Sequence, residues 1–147
     1  MLLEALISIA IFSIGVLGLI GLQAAAIKNA DDARQRAVAA FYGNQLISRM
    51  WADDRANLAD YAHQPNGTMC DPLSADPFGG AASANVNVTA WLAALRTELN
   101  GLTSAAVASS LQQITVCPAN IVTVTLCWKN PQEVVYHCYT TAAQIRG

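Results

Sequence analysis

From Ala5 to Ile27 the chain runs 23 residues without a charge, and this run constrains the fold more than any other feature. A helix needs about 20 mostly apolar residues, at roughly 1.5 Å rise each, to cross the hydrocarbon of a bilayer. The run is therefore long enough. A secretory signal peptide would show a basic start, a shorter apolar core and a small-residue cleavage site. Here no Lys or Arg precedes the run, so a retained membrane helix is expected. Residues 1–27 carry one charge, Glu4, and three uncharged polar side chains, Ser8, Ser13 and Gln23.

Glu4 needs a reason to be there. An ionised side chain at the bilayer centre costs about 2.5–3.5 kcal/mol, and less near an interface. Its position near the end lets it reach headgroups. It also lets it neutralise a cation on a neighbouring subunit, the nearest source in an apolar bundle being a helix amino terminus. Position alone leaves both open. Gly15, Gly18 and Gly21 recur every three residues, which is not the GxxxG spacing of close helix dimers. Each weakens a helix by about 0.8–1.0 kcal/mol relative to Ala, so this is the stretch most ready to bend or unwind.

Beyond Ile27 the chain changes character. The whole sequence of 147 residues suits one domain, and is 54% hydrophobic but only 12% charged, against about 25% charged in ordinary soluble domains. Such a composition excludes a disordered chain. A net charge of −2 argues against nucleic-acid binding through a basic face. Ala30, Ala33, Ala37, Phe41, Leu46 and Met50, flanked by Val38 and Tyr42, recur at helical steps, and no Pro occurs before Pro65. One helix from residue 2 to about 58, roughly 85 Å long, is predicted, apolar all round at first and amphipathic afterwards.

Residues 62–88 hold Pro65, Pro72, Pro77, Gly67, Gly79 and Gly80, turn chemistry without periodicity. The Asn66-Gly67 pair suits a turn. Thr89 is the expected N-cap of a packing helix over Trp91–Leu99, with Gly101 as its stop. Residues 102–113 suit either a short helix or a loop. The last third switches to β-branched and aromatic runs at 114–117, 121–128 and 134–140, separated by turns at 118–120 and 130–133. This predicts a three-stranded antiparallel meander with Val122, Val124 and Leu126 facing the long helix and Thr123, Thr125 and Cys127 on the other side.

The apolar start with one glutamate, running through Ile11–Gln23 (IFSIGVLGLIGLQ) into a long amphipathic helix, resembles the N-terminus of type IV pilins. The stretches Asn44–Met50 (NQLISRM) and Trp91–Leu99 (WLAALRTEL) shift the resemblance towards minor pilins of the PilV type. The resemblance implies an α+β, type IV pilin-like fold, a long N-terminal helix packed on a small antiparallel β-sheet. Residues 1–27 would be its membrane and filament-core half, 28–61 its amphipathic half, and 62–147 the extracytoplasmic body with a variable loop. It also implies a function: a minor pilin in the initiating or tip complex of a type IV pilus. Glu4 would be the assembly glutamate, and the three glycines the place where the helix melts in the filament. Implied partners are other minor pilins, the major pilin, the inner membrane before assembly and a prepilin peptidase that removes a leader before N-methylation. The family glutamate is fifth in the mature chain and Glu4 is fourth, so one residue is expected ahead of Met1. A minor pseudopilin of type II secretion, or an adhesin or other binding subunit at a pilus tip, are the alternatives.

Four cysteines in an extracytoplasmic body suit disulfides, and four allow three connectivities. A turn centred on Gln132-Glu133 would set Cys127 opposite Cys138, leaving Cys70 to pair with Cys117. Without a C-x-x-C pair the zinc spacing is absent, so His63 and His137 are not expected to bind metal. No cofactor is expected. The Asp31-Asp32 and Asp53-Asp54 pairs are expected to be solvated helix faces, and no nucleophile with a base stands out. The chain is not expected to be an enzyme.

Overall fold

The computed structural model describes residues 2–65, 78–131 and 133–146. The Asn66-Gly67 turn, Cys70, Pro72 and Pro77 lie outside the described residues. Three α-helices and three strands follow one another: α1 (Leu2–Ala52), α2 (Val86–Glu98), α3 (Ala105–Ser110), β1 (Gln112–Cys117), β2 (Ile121–Trp128) and β3 (His137–Gln144). The layout is α+β, with a long apolar N-terminal helix and one small antiparallel sheet. Two compact units divide it, residues 1–34 and residues 35–147.

In the second unit, α1 buries Gln35, Ala39, Gly43, Leu46, Ile47 and Met50. Steps of three and four residues place them on one face. Leu46 and Met50 were expected there, but Ala33 and Ala37 are exposed and Phe41 is 61% exposed. The helix is turned relative to the face predicted from its alanines, for two reasons. Gly43 presents no side chain, and a Cβ there would lie 3.0 Å from Thr141 Cγ2 and 3.3 Å from Leu126 Cδ1, so the sheet comes closest at this point. Gln35 turns inward because its Oε1 accepts the Asn100 N–H at 3.2 Å.

The helix stops at Ala52 rather than near residue 58. Asp54 caps a following 3-10 turn, Arg55–Tyr61, by accepting the Ala56 N–H. An Asp favours this role because its short carboxylate competes with helical backbone bonding. The predicted N-cap of α2 is also corrected. Asn85 accepts the Asn87 N–H at 2.8 Å, so α2 begins five residues before Trp91, and Thr89 lies inside it. Trp91 and Leu95 are buried in the core, and the Trp91 indole N–H donates to the Tyr42 carbonyl at 3.0 Å, tying α2 to α1. Gly101, at φ +83°, lies where a Cβ would be 2.6 Å from the Lys129 carbonyl oxygen. Only glycine fits that turn.

Residues 102–113 resolve into both α3 and the start of β1. The sheet has the order β1-β2-β3 with antiparallel neighbours, as the meander predicts. Val122, Val124 and Leu126 are fully buried, and Leu126 reaches Gly43 of the long helix. β3 starts three residues later than predicted, at His137. Val134 and Val135 instead stand exposed in the connection. The register sets Cys127 opposite Cys138, and the two are joined in a disulfide. A loop of this size, closed covalently, is worth about 3 kcal/mol on the chain-entropy account.

The Gly43 contact makes a graded prediction. Gly43→Ala gains about 0.8–1.0 kcal/mol of helix propensity against a contact that flexible side chains relieve, so it should lie near neutral. Gly43→Leu should destabilise by about 1–3 kcal/mol through overpacking. Thermal unfolding of the detergent-solubilised chain measures both, and equal midpoints would show that the close approach is unimportant.

Candidate functional site: an exposed apolar helix with one acid

The first unit is helical from Leu2, and none of its most apolar 18-residue window, with mean hydropathy 2.5, is buried. Leu2 is 86% exposed, and Leu3, Leu6, Ile11, Phe12, Ile14, Leu17 and Leu22 stand out likewise. A core helix would bury such residues. This one is long and apolar enough to cross a membrane. Its serines suit an apolar surrounding: Ser8 Oγ donates to the Glu4 carbonyl at 2.9 Å, and Ser13 Oγ to the Ile9 carbonyl at 2.7 Å. Both hydroxyls are thus satisfied on their own helix, as lipid demands.

Glu4 is exposed, in the first helical turn. Negative charge is favoured there, where unpaired N–H groups and the helix dipole meet. Its carboxylate has no hydrogen-bond or ion-pair partner among the described residues. Gly15, Gly18 and Gly21 have nothing within 4 Å of a Cβ built on them. No packing inside the chain requires them to be glycine.

The cysteines divide. Cys127 and Cys138 form the expected disulfide. Cys117 is exposed with a free thiol, and its expected partner Cys70 lies outside the described residues. Among the described residues no group of three His, Cys, Asp or Glu side chains could hold a metal ion.

Two polar constellations were not legible in the sequence. Asp53, read as part of a solvated pair, accepts the Tyr61 hydroxyl at 2.6 Å and the Asn57 amide at 3.1 Å. These bonds, Tyr61 foremost, hold its carboxyl below the usual range. Burial and then the Asp53 carboxylate push the Tyr61 phenol up. Asn87 Nδ2 donates to the same hydroxyl at 2.8 Å. Beside them lies an open depression of about 510 Å³ lined by Asp53, Asn57, Asp60, Asn85 and Asn87 among others. Asp53, Asn57, Tyr61 and Asn87 bond one another across the base of α2, which fastens the connection after α1.

The second constellation is His63, which is fully buried. Its Nδ1 accepts the Ser83 N–H at 3.1 Å, and its Nε2–H donates to the Ser109 carbonyl at 2.9 Å. Both bonds require the neutral ring with its proton on Nε2. Its main chain exchanges N–H and C=O bonds with Ile114 on the outer edge of β1. Spacing could not reveal this, because each partner is remote in sequence.

No known protein family, no curated protein and no solved structure matches the chain. Its own architecture defines the class: an α+β, disulfide-bonded body on a helix fit to be a membrane anchor.

Burial lowers the His63 pKa from its ordinary value of 6.5, partly opposed by the Ser109 carbonyl. Above pH 6.5 folded and unfolded states are both neutral there and the fold keeps its full stability. As pH falls below 6.5 the unfolded state takes up the proton first, so stability declines towards the lower folded pKa. Unfolding midpoints from pH 8 to pH 5 should fall on the acid side. His63→Gln, which cannot titrate, should reduce that slope, and an unchanged slope would assign it to other groups.

Proposed function

We propose that the chain is a minor pilin, a structural subunit that enters a type IV pilus in its initiating or tip complex. The observation that carries this reading is the wholly exposed apolar helix with a single acid in its first turn. Apolar surface of this extent is stable only against lipid or against other helices, so one segment serves two environments. Before assembly it holds the subunit in the inner membrane with the body in the periplasm. In the extracellular pilus it packs among the helices of other minor pilins and the major pilin.

Glu4 acts when the helix leaves lipid headgroups for the helix bundle. There a neighbour's N-terminal amine offsets its charge, and the low dielectric strengthens the pair while making either partner alone costly. Gly15, Gly18 and Gly21, which no internal contact explains, give the helix a segment that unwinds on assembly. A prepilin peptidase prepares the terminal amine. The role is structural, and the body serves it by contact.

Glu4→Ala should lower recovery of the subunit in sheared pili at least tenfold, while membrane levels and formation of the Cys127–Cys138 disulfide stay normal. Glu4→Asp should recover part of the loss. Normal recovery of Glu4→Ala in pili would overturn the assembly role. Recovery with a secretion apparatus instead of pili would move the subunit to the pseudopilins.

A further inference from the structure

The two outer edges of the sheet are treated differently. On β1, Ile114 exchanges both main-chain bonds with His63, and Gln113 Nε2 donates to the Gln64 carbonyl at 3.0 Å. That edge is closed. On β2, Cys127 directs its N–H and C=O to the β1 side, where the Gln112 side-chain amide takes both, at 3.0 and 2.9 Å. Alternation then turns Val122, Val124 and Leu126 towards β3, bonding Ala143, Thr141 and Tyr139 in the observed register. Thr140 and Ala142 therefore turn their N–H and C=O outward. Neither makes a main-chain hydrogen bond there among the described residues.

Sheet edges are ordinarily protected by Lys, Pro, a bulge or a covering loop. Among the described residues β3 has none of these over Tyr139–Ala143. It is eight residues long, contains no Lys, Arg, Asp, Glu or Pro, and offers small side chains at Thr140 and Ala142. Before the strand the Glu133 carboxylate is taken up by Asn130 Nδ2 and His137 Nε2, whereas after it Arg146 is exposed, its Nε donating to Gln144 Oε1. An antiparallel neighbour would meet Arg146 near its own start.

A second copy of this chain fits the edge poorly. Antiparallel pairing of two β3 strands places a twofold axis normal to the sheet, which runs the two copies' α1 segments, residues 35–52, in opposite directions. Subunits anchored through the same apolar run in one membrane leave it in the same direction.

We propose that the open edge of β3 receives an extended segment of another polypeptide as a fourth, antiparallel strand. That segment is acidic at its start, opposite Arg146, and uncharged over the five residues that follow. Main-chain bonds to Thr140 and Ala142 supply affinity, and the charge at its start sets direction.

The test uses the full-length chain in detergent micelles and a capped synthetic peptide of sequence Glu-Thr-Val-Thr-Val-Thr-Lys. Amide exchange at Thr140 and Ala142, followed by NMR, should slow at least tenfold at millimolar peptide. The inward amides of Tyr139 and Thr141 should stay protected throughout. The charge-swapped peptide, Lys first and Glu last, should need at least threefold higher concentration for the same protection. Ala142→Pro removes an outward donor, at a place where an edge strand tolerates proline, and should abolish the effect. No slowing in the unsubstituted chain overturns the proposal whether or not Ala142→Pro folds. Equal response to both peptides overturns the stated charge pattern. Protection that appears without peptide and grows with protein concentration assigns the edge to a second copy and overturns the proposal equally.

Discussion

The constraint on which the rest depends is apolar surface that the chain does not cover for itself. Residues 2–27 form a helix whose leucines, isoleucines and phenylalanine stand exposed. At about 25 cal/mol per Å², their exposure to water would outweigh the net stability of about 5–15 kcal/mol that a domain of this size commands. By its length and hydropathy such a helix suits a state in which lipid surrounds it. The serines turned back on their own carbonyls, the lone acid at the terminus and the absence of any further charge before Lys28 are consistent with that state.

The second unit solves the opposite problem, holding a small sheet together with few long-range elements. Gly43 brings the sheet close, Gln35 reaches Asn100, Trp91 reaches the Tyr42 carbonyl, and His63 fastens the edge of β1. Each contact joins α1 or the segment after it to a distant part of the body. Two of these fastenings, Gln35 and His63, are polar side chains fully buried. Buried polar groups cost stability unless bonded. His63 is bonded at both ring nitrogens, to the backbone of Ser83 and Ser109. Gln35 is bonded through its Oε1 to the Asn100 N–H, with its Nε2 left without a partner among the described residues. Both side chains specify where the loops lie more than they add to the core, and the disulfide secures the hairpin whose connection exposes Val134 and Val135.

Much of this was legible from residues. An uncharged run of 23 residues has few alternatives to an apolar helix, and β-branched runs separated by Pro-Ala-Asn and Asn-Pro define a meander. The spacing of Cys127 and Cys138 about Gln132-Glu133 gives the register without further information. Leu46 and Met50 on the buried face of α1 were legible, but the rotation of its earlier turns was not, because alanine is equally at home in a core or on a surface. The face in use is centred instead on a glycine and a glutamine, which a hydrophobic pattern passes over. β3 was misplaced because Val134 and Val135 have higher β-propensity than Ala142 and Ala143. Pairing of Ala142 with Thr123 and of Ala143 with Val122 outweighed that preference. The Asp53–Tyr61–Asn87 and His63 sites depend on contacts across 8 to 46 residues, which no local pattern encodes.

These features together separate what holds the subunit from what it can recognise. The apolar helix is indifferent to the identity of a neighbouring helix, because hydrocarbon packing rewards any well-fitting apolar surface. In the assembly proposed above, Glu4 would add a requirement for an opposite charge that an amino terminus of any similar subunit meets. Selectivity in that assembly would then arise in the second unit. Its exposed features differ in the kind of discrimination they offer. Val134 and Val135 present apolar area alone, and in the polar depression beside α2 the Asp53, Asn57 and Asn87 side chains are bonded within its own walls. The outer edge of β3 retains unspent, directional main-chain groups. It is therefore the surface on which order in an assembly can be written most specifically, since a strand added there is fixed in direction and in register by every bond it makes.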